Sequence, residues 1–294
     1  MNNQTKGVLF ALTTTLLWSV NMVIASGIKE HIPPVGLAFW RWTIACMALA
    51  PFALKRTLKH KTLLLQNKGY LVLTAILGIT IFNTLIYFAG KTTSAVNLSL
   101  IAISIPLFIV IIARIALKEK VATVRILGIA TIITGVLVLI TKGSLQALLH
   151  INFTIGDLLM LVACFFFASY TILVRLKPKE IPPNVFLFTL FIIGTILLFP
   201  FYLWEHLYYK KVIFDSTTIY ATTYVGIFAS LISYYLWNEA IRLIGTNKTA
   251  LIYYLIPVFS GILAFFFLNQ AIVLTQIISM GIIITGLLLT NKKR

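Results

Sequence analysis

Ten stretches of about 20 apolar residues fill nearly all of this 294-residue chain, and about 20 helical residues is the length needed to cross the hydrocarbon core of a bilayer. The pattern predicts crossings over 7–28, 35–54, 69–90, 92–117, 121–141, 155–174, 185–204, 216–240, 246–268 and 271–290. Charge is nearly absent from their interiors. Arg41 lies about two turns into the second span, and Arg125 and Asp157 fall in the first turn of theirs. Only 11% of residues are charged and the mean hydropathy is +1.00, values that a soluble domain of this size does not combine. The expected fold class is an all-α integral membrane protein.

The net charge of +17 raises nucleic acid as a partner, and its distribution argues against it. With the N-terminus in the cytoplasm, 18 of the 24 Lys and Arg residues fall on the cytoplasmic side. This is the positive-inside bias of a multi-pass protein of the cytoplasmic (inner) membrane with both termini inside. Cys46 and Cys164 lie within apolar spans, far from any C-x-x-C pairing, and read as small hydrophobes. Lys6, the apolar run and Ala25-Ser26-Gly27 resemble a signal peptide. The run is long for one and carries Trp18 and Asn21, so it is read as the first crossing.

The two halves echo each other. Ile32-Pro33-Pro34 recurs as Ile181-Pro182-Pro183 and Pro51-Phe52 as Pro200-Phe201, while Gly78 and Tyr87 match Gly226 and Tyr235. Pro106 matches Pro257, and Ile132-Ile133-Thr134-Gly135 matches Ile283-Ile284-Thr285-Gly286. Two repeats follow, 7–141 and 155–290, each with five crossings. An odd number turns the second repeat upside down, and the loop charges invert accordingly. The result is ten transmembrane helices as two inverted five-helix repeats, an architecture in which halves rock around a midplane site.

Leu17-Trp18-Ser19-x-Asn21, Phe39-Trp40-Arg41-Trp42, Thr92-Thr93-Ser94-Ala95 leading to Pro106, and Leu117-Lys118-Glu119 with Gly128 stand in order in the first half. Gly156-Asp157-Leu158, Tyr235-x-Trp237-Asn238-x-Ala240 and Ile256-Pro257-Val258-Phe259 follow in the second. Taken together these residues resemble the EamA-type, ten-helix branch of the drug/metabolite transporter superfamily over almost the whole chain. The resemblance implies secondary transport of small organic solutes, often export of amino acids or related metabolites, through a cavity between the repeats. It implies no cofactor and no metal. The expected partners are the bilayer and a small-molecule substrate, with a homodimer also admitted.

Polar residues inside spans should face other helices or a wet cavity. Thr14, Trp18 and Asn21 share one helical face, as do Thr80, Asn83, Thr84 and Tyr87. Asn97 and Ser104 are seven apart. Ser230, Ser233, Tyr234 and Trp237 align with Asn238 beside them, and Thr249, Tyr253, Pro257 and Ser260 form a last stripe. The cavity candidates are therefore Trp18, Asn21, Asn83, Tyr87, Asn97, Tyr234, Trp237, Asn238 and Tyr253. Each of these side chains can equally serve interhelical packing. Pro106 and Pro257, inside matching helices, should kink them. Arg41 would sit roughly 10 Å below the outer surface. At that depth snorkelling beside Trp40 and Trp42 is favoured, with contact to a substrate anion as the alternative. Asp157 suits a helix cap and Glu239 suits pairing with Arg242.

No carboxylate is expected near the midplane, so uniport, exchange and proton antiport all stand. A channel or facilitative pore is the alternative reading, and it would need a filter that the sequence lacks. An intramembrane enzyme ranks below it: all four histidines lie in loops or at span ends and none has H-E-x-x-H spacing.

Overall fold

The computed structural model describes residues 2–27, 31–92, 98, 101–118, 123–141, 144, 146, 154–256, 258–259, 262–263 and 274–291. All regular structure among them is helical. The principal helices are α1 (Asn3–Gly27), α2 (Pro34–Lys59), α3 (Lys68–Thr92), α4 (Ser104–Ala116), α5 (Thr123–Thr141), α6 (Ile155–Arg175), α7 (Pro183–Tyr208), α8 (Ser216–Ile244), α9 (Thr246–Tyr253) and α10 (Leu274–Asn291). By length and composition, α2, α3, α6, α7 and α8 can each cross a membrane. The protein is multi-pass.

Local chemistry sets the helix ends. Pro34 and Pro183 occupy the first turn of α2 and α7, where the missing N–H costs nothing and the fixed φ suits the helix. Thr154 and Asp157 form a capping box at the start of α6, with the Thr154 amide donating to the Asp157 carboxylate at 2.6 Å. Asp215 caps α8 by accepting the Thr218 amide at 2.8 Å. The α8–α9 boundary is Gly245, at φ 81° and ψ 160°, a region essentially reserved for glycine.

Two spans contain π-helical segments, Ile76–Ile81 in α3 and Val225–Ile232 in α8. A wider turn shifts carbonyls off the regular ladder, and such segments gather at functional sites. Each carries one of the repeat-matched glycines, which permits close approach. A Cβ on Gly78 would lie 2.1 Å from the Tyr170 ring, and one on Gly226 would lie 2.7 Å from Ile44.

The helix pairs in contact include α5 on α10, α2 on α7, α4 on α9, α1 on α8, α3 on α6, α1 on α9, α4 on α6, α2 on α8 and α3 on α7. At the α5–α10 crossing, Gly135 faces Ile282 and Ile283 while Gly286 faces Ile132. The main core gathers around Trp18, Trp42, Phe167, Tyr170, Phe191, Tyr234 and Trp237.

Kinks were expected at Pro106 and Pro257. Pro106 sits in the first turn of α4, and the chain breaks before it, over Ala102–Ile103. Proline has no N–H to offer the Ala102 carbonyl, which instead accepts the Ile105 amide at 3.1 Å. The interruption thus falls one turn before Pro106, at the carbonyl that the proline leaves without its usual donor. A comparable turn at Tyr254–Leu255 ends α9 three residues short of position 257. Pro257 itself, like Asn97, lies outside the described residues.

Candidate functional site

Arg41 organises the buried polar centre. It projects from α2 into the protein and is 1% exposed, so it does not snorkel as its depth suggested. Its Nε donates to Ser230 Oγ at 2.7 Å. Nη1 donates to Asn83 Oδ1 at 2.7 Å and to the Tyr87 hydroxyl at 2.6 Å. Nη2 reaches the Ala229 carbonyl at 3.3 Å. The guanidinium also lies 4.9 Å from the Trp42 ring and 5.8 Å from the Tyr87 ring, within cation–π range.

The magnitudes explain why a charge can stay here. Desolvating a guanidinium costs several kcal/mol, and a hydrogen bond to a charged group returns about 1.5–3 kcal/mol. Four such bonds and two ring contacts offset the cost. Every acceptor, however, is neutral. Among the described residues Arg41 has no carboxylate partner, so its positive charge remains uncompensated inside the helix array.

The π segments supply the backbone for this network. Ala229, in the second, accepts from both Arg41 Nη2 and Trp18 Nε1, the latter at 3.0 Å. Gly78, in the first, accepts from the Tyr234 hydroxyl at 2.8 Å and Asn83 Nδ2 at 3.2 Å. Asn83 Nδ2 donates further to the Tyr234 oxygen at 3.0 Å. Ser230 returns its own proton to the Val225 carbonyl at 2.8 Å. Asn83, Tyr87, Ser230 and Tyr234, from α3 and α8, are thereby joined through a cation on α2.

Trp18 is the aromatic hub beside it. Its ring lies 5.3 Å from Phe167, 5.9 Å from Tyr234, 5.1 Å from Trp237 and 5.9 Å from Tyr253. Trp237 Nε1 donates to Thr171 Oγ1 at 3.4 Å. Tyr170 donates to Asn238 Oδ1 at 2.9 Å and lies 5.6 Å from Tyr234. Asn21 is buried, and its Oδ1 has no hydrogen-bond partner among the described residues. An orphaned acceptor of this kind invites a donor from elsewhere. Of the sequence candidates, Trp18, Asn83, Tyr87, Tyr234, Trp237, Asn238 and Tyr253 are linked through these contacts, with Asn21 one turn along the same face as Trp18.

Sequence reading missed three contributors. Phe167 and Tyr170 complete the aromatic cluster. Glu205, in the last turn of α7, is 5% exposed and accepts the Val35 and Gly36 amides at 3.2 and 2.7 Å, locking the end of α7 to the start of α2. Beside it, His31 Nδ1 meets Asp215 Oδ2 at 2.8 Å. The Thr218 amide above all, with His31 adding, holds the Asp215 carboxyl below its ordinary range. At the opposite end of α7, a cavity of about 640 Å³ is lined in part by Arg175, Lys177, Lys179, Asn238, Glu239 and Arg242. Glu239 and Arg242 pair as expected, at 2.6 Å.

Apolar helices packed around a buried, hydrogen-bonded cation define a multi-pass α-helical membrane protein with a polar interior. The EamA-like transporter family matches residues 5–141 and again 154–292, and the chain belongs to it; this is a membrane transporter of the drug/metabolite type. It is 30% identical to the uncharacterized transporter YyaM of Bacillus subtilis over 261 residues, spanning 88% of this chain and 84% of that one. It is 29% identical to an uncharacterized transporter of Archaeoglobus fulgidus, spanning 100% and 99%. A solved crystal structure at 19% identity has a TM-score of 0.77 and covers 98% of this chain and 97% of its own, so the fold is shared.

Proposed function

We propose that the protein is a secondary transporter that exports a small organic solute, an amino acid or related metabolite, across the cytoplasmic membrane by alternating access. Ten crossings form two inverted repeats, 7–141 and 155–290, with both termini in the cytoplasm. The observation that carries the substrate reading is Arg41, a buried guanidinium held only by neutral acceptors. A carboxylate is the group that would complete it. Asn21 Oδ1, an acceptor without a donor among the described residues, suits the other end of a zwitterion.

Helix packing supports the repeat reading. Exchanging each helix for its counterpart five places on turns α1–α8 into α6–α3 and α1–α9 into α6–α4, and leaves α2–α7, α4–α9 and α5–α10 as they are; all are observed pairs. The Gly135–Ile283 contact likewise becomes Gly286–Ile132. These are the relations a two-fold axis would impose. Glu205, His31 and Asp215 close one end, and the basic cavity lies toward the other. Alternating access then consists of releasing the first set of contacts while the second end closes.

Metabolite profiling of cells with and without the protein identifies the solute, and uptake into proteoliposomes then measures its transport. Accumulation of one carboxylate-bearing solute in the deletion strain is the expected result. A solute without an anionic group, carried equally well by Arg41→Gln, would overturn the assignment.

A further inference from the structure

The cavity between α6, α7 and α8 has an electrostatic composition that the transport reading does not use. Its volume of about 640 Å³ falls within the usual range of small-molecule sites. Among the described residues four cations line it, Arg175, Lys177, Lys179 and Arg242, with one carboxylate, Glu239. That carboxylate is already engaged by Arg242, whose Nε and Nη2 both donate to Glu239 Oε2, at 3.0 and 2.6 Å. Glu180 acts on Lys177 through space but does not line the cavity. Lys177 donates to the carbonyls of Pro178 and Ile181, which leaves a third N–H. Its ammonium lies 6.0 Å from the Phe186 ring. Burial above all pushes the Lys177 pKa down, with Glu239 and Glu180 opposing and Arg242 adding to the fall. Pro183, Phe186, Leu187 and Ile241 supply apolar wall.

We infer that this cavity is a binding site for a phosphate-bearing ligand, its anionic group held among Arg175, Lys177 and Lys179 and its organic body against the Phe186 wall. Lys177 and Lys179 lie beyond the Glu239–Arg242 pair, and Arg175, which donates to Thr246 Oγ1 at 3.3 Å, adds a guanidinium beside them; planar guanidinium with point-charge ammonium is a common pairing around phosphate. The same chemistry is offered by a soluble phosphate ester and by an anionic phospholipid headgroup. A ligand seated here also touches Asn238, which holds Tyr170 and through it the ring cluster around Trp18. Binding itself requires no transport, so failure of one proposal leaves the other standing.

The test uses the full chain purified in a neutral detergent and follows its melting temperature. The probes are inorganic phosphate, glycerol 3-phosphate, dioctanoyl phosphatidylglycerol and, as the zwitterionic control, dioctanoyl phosphatidylcholine. The expected result is stabilisation by at least one anionic phosphate probe and not by phosphatidylcholine. Arg175→Gln combined with Lys179→Gln should weaken that response at least about tenfold in concentration, the scale of one lost charge-assisted contact. Arg175→Lys with Lys179→Arg should retain it, as should Lys210→Gln with Lys211→Gln at the far end of α7. A response to the soluble probes assigns the site to a free phosphate ester; a response to phosphatidylglycerol alone assigns it to lipid. Equal responses of the wild type and the Gln pair, a phosphatidylcholine response matching phosphatidylglycerol, or no response to any phosphate overturns the inference. Arg175 and Lys179 are exposed, so both variant pairs should fold.

Discussion

Trp18 and Phe167 meet edge to face with ring centroids 5.3 Å apart, and they stand at the same sequence offset, 149, that separates the contacting pair Cys46 and Thr195. Residues at equivalent places in two repeats touch only where an axis relating them passes close by. On the two-fold relation proposed above, such an axis would pass between these pairs, and the chemistry on its two sides differs. One repeat supplies an indole that donates to Ala229, and the other supplies a phenyl ring with nothing to donate.

The crossing of α5 and α10 gives the equivalence a covalent test. With Cys46 and Cys164 replaced by alanine, Gly135→Cys with Ile282→Cys should form a disulfide on mild oxidation, because a Cβ at 135 would lie 3.0 Å from the Ile282 Cβ and small adjustments reach disulfide geometry. Gly135→Cys with Ile278→Cys, one turn away on α10, should link far less. Equal linking of both pairs on non-reducing gels would remove the specific crossing.

Gly78 should not tolerate a side chain. Alanine there places Cβ 2.1 Å from Tyr170 Cδ2, so the ring or a helix must move, at a cost of about 1–3 kcal/mol. Gly69→Ala, with nothing within 4 Å of its Cβ, should be neutral or slightly stabilising. Melting of both variants in detergent checks the contrast. Indistinguishable melting temperatures would mean that α3 and α6 are not held this closely.

The Glu205 contact should govern access at its end of the molecule. Glu205→Ala removes the acceptor for the Val35 and Gly36 amides, bonds to a charged group of about 1.5–3 kcal/mol each. A cysteine at Val35, a buried position, should then react with an impermeant maleimide roughly tenfold faster or more. An unchanged labelling rate would show that the contact does not hold this end closed.

Asp215 gives a pH dependence whose sign is fixed. Its folded pKa is depressed, so its contribution is fully present above the ordinary aspartate range near 4 and is lost as pH falls through the lower folded value. The melting-temperature difference between wild type and Asp215→Asn should be flat across about pH 7 to 8. The difference should then collapse only in strong acid, as pH falls through the depressed Asp215 value. A difference that shrinks steadily from pH 8 to 5 would contradict the assigned partners.

Much of the helix order was legible in the sequence because twenty-residue apolar runs and a proline at the first turn leave few alternatives. Asp157 as a cap and Glu239 with Arg242 as a pair were readable from spacing alone. Arg41 was not. Position along a helix gives depth, but the side that a residue faces depends on its neighbours, and the four acceptors and one ring that α3 and α8 supply come together only in three dimensions. The π segments also left little trace beyond Gly78 and Gly226 at matched places. Arg175, Lys177, Lys179 and Arg242 looked like solvated loop and helix-end charges, since nothing local shows that α6, α7 and α8 bring them around one cavity.

Arg41 carries the central claim, and transport by its variants tests it most directly. Arg41→Gln and Arg41→Lys should both insert and accumulate, the second because an ammonium keeps the charge. Neither can reproduce a planar fork that reaches Ser230, Asn83 and Tyr87 together. In proteoliposomes loaded with the solute found by metabolite profiling, Arg41→Gln should lose at least about tenfold in transport, the scale of one lost charge-assisted contact. Arg41→Lys should recover only part of it. Wild-type rates in the Arg41→Gln protein, at matched incorporation, would contradict the account and leave the buried guanidinium a structural cation.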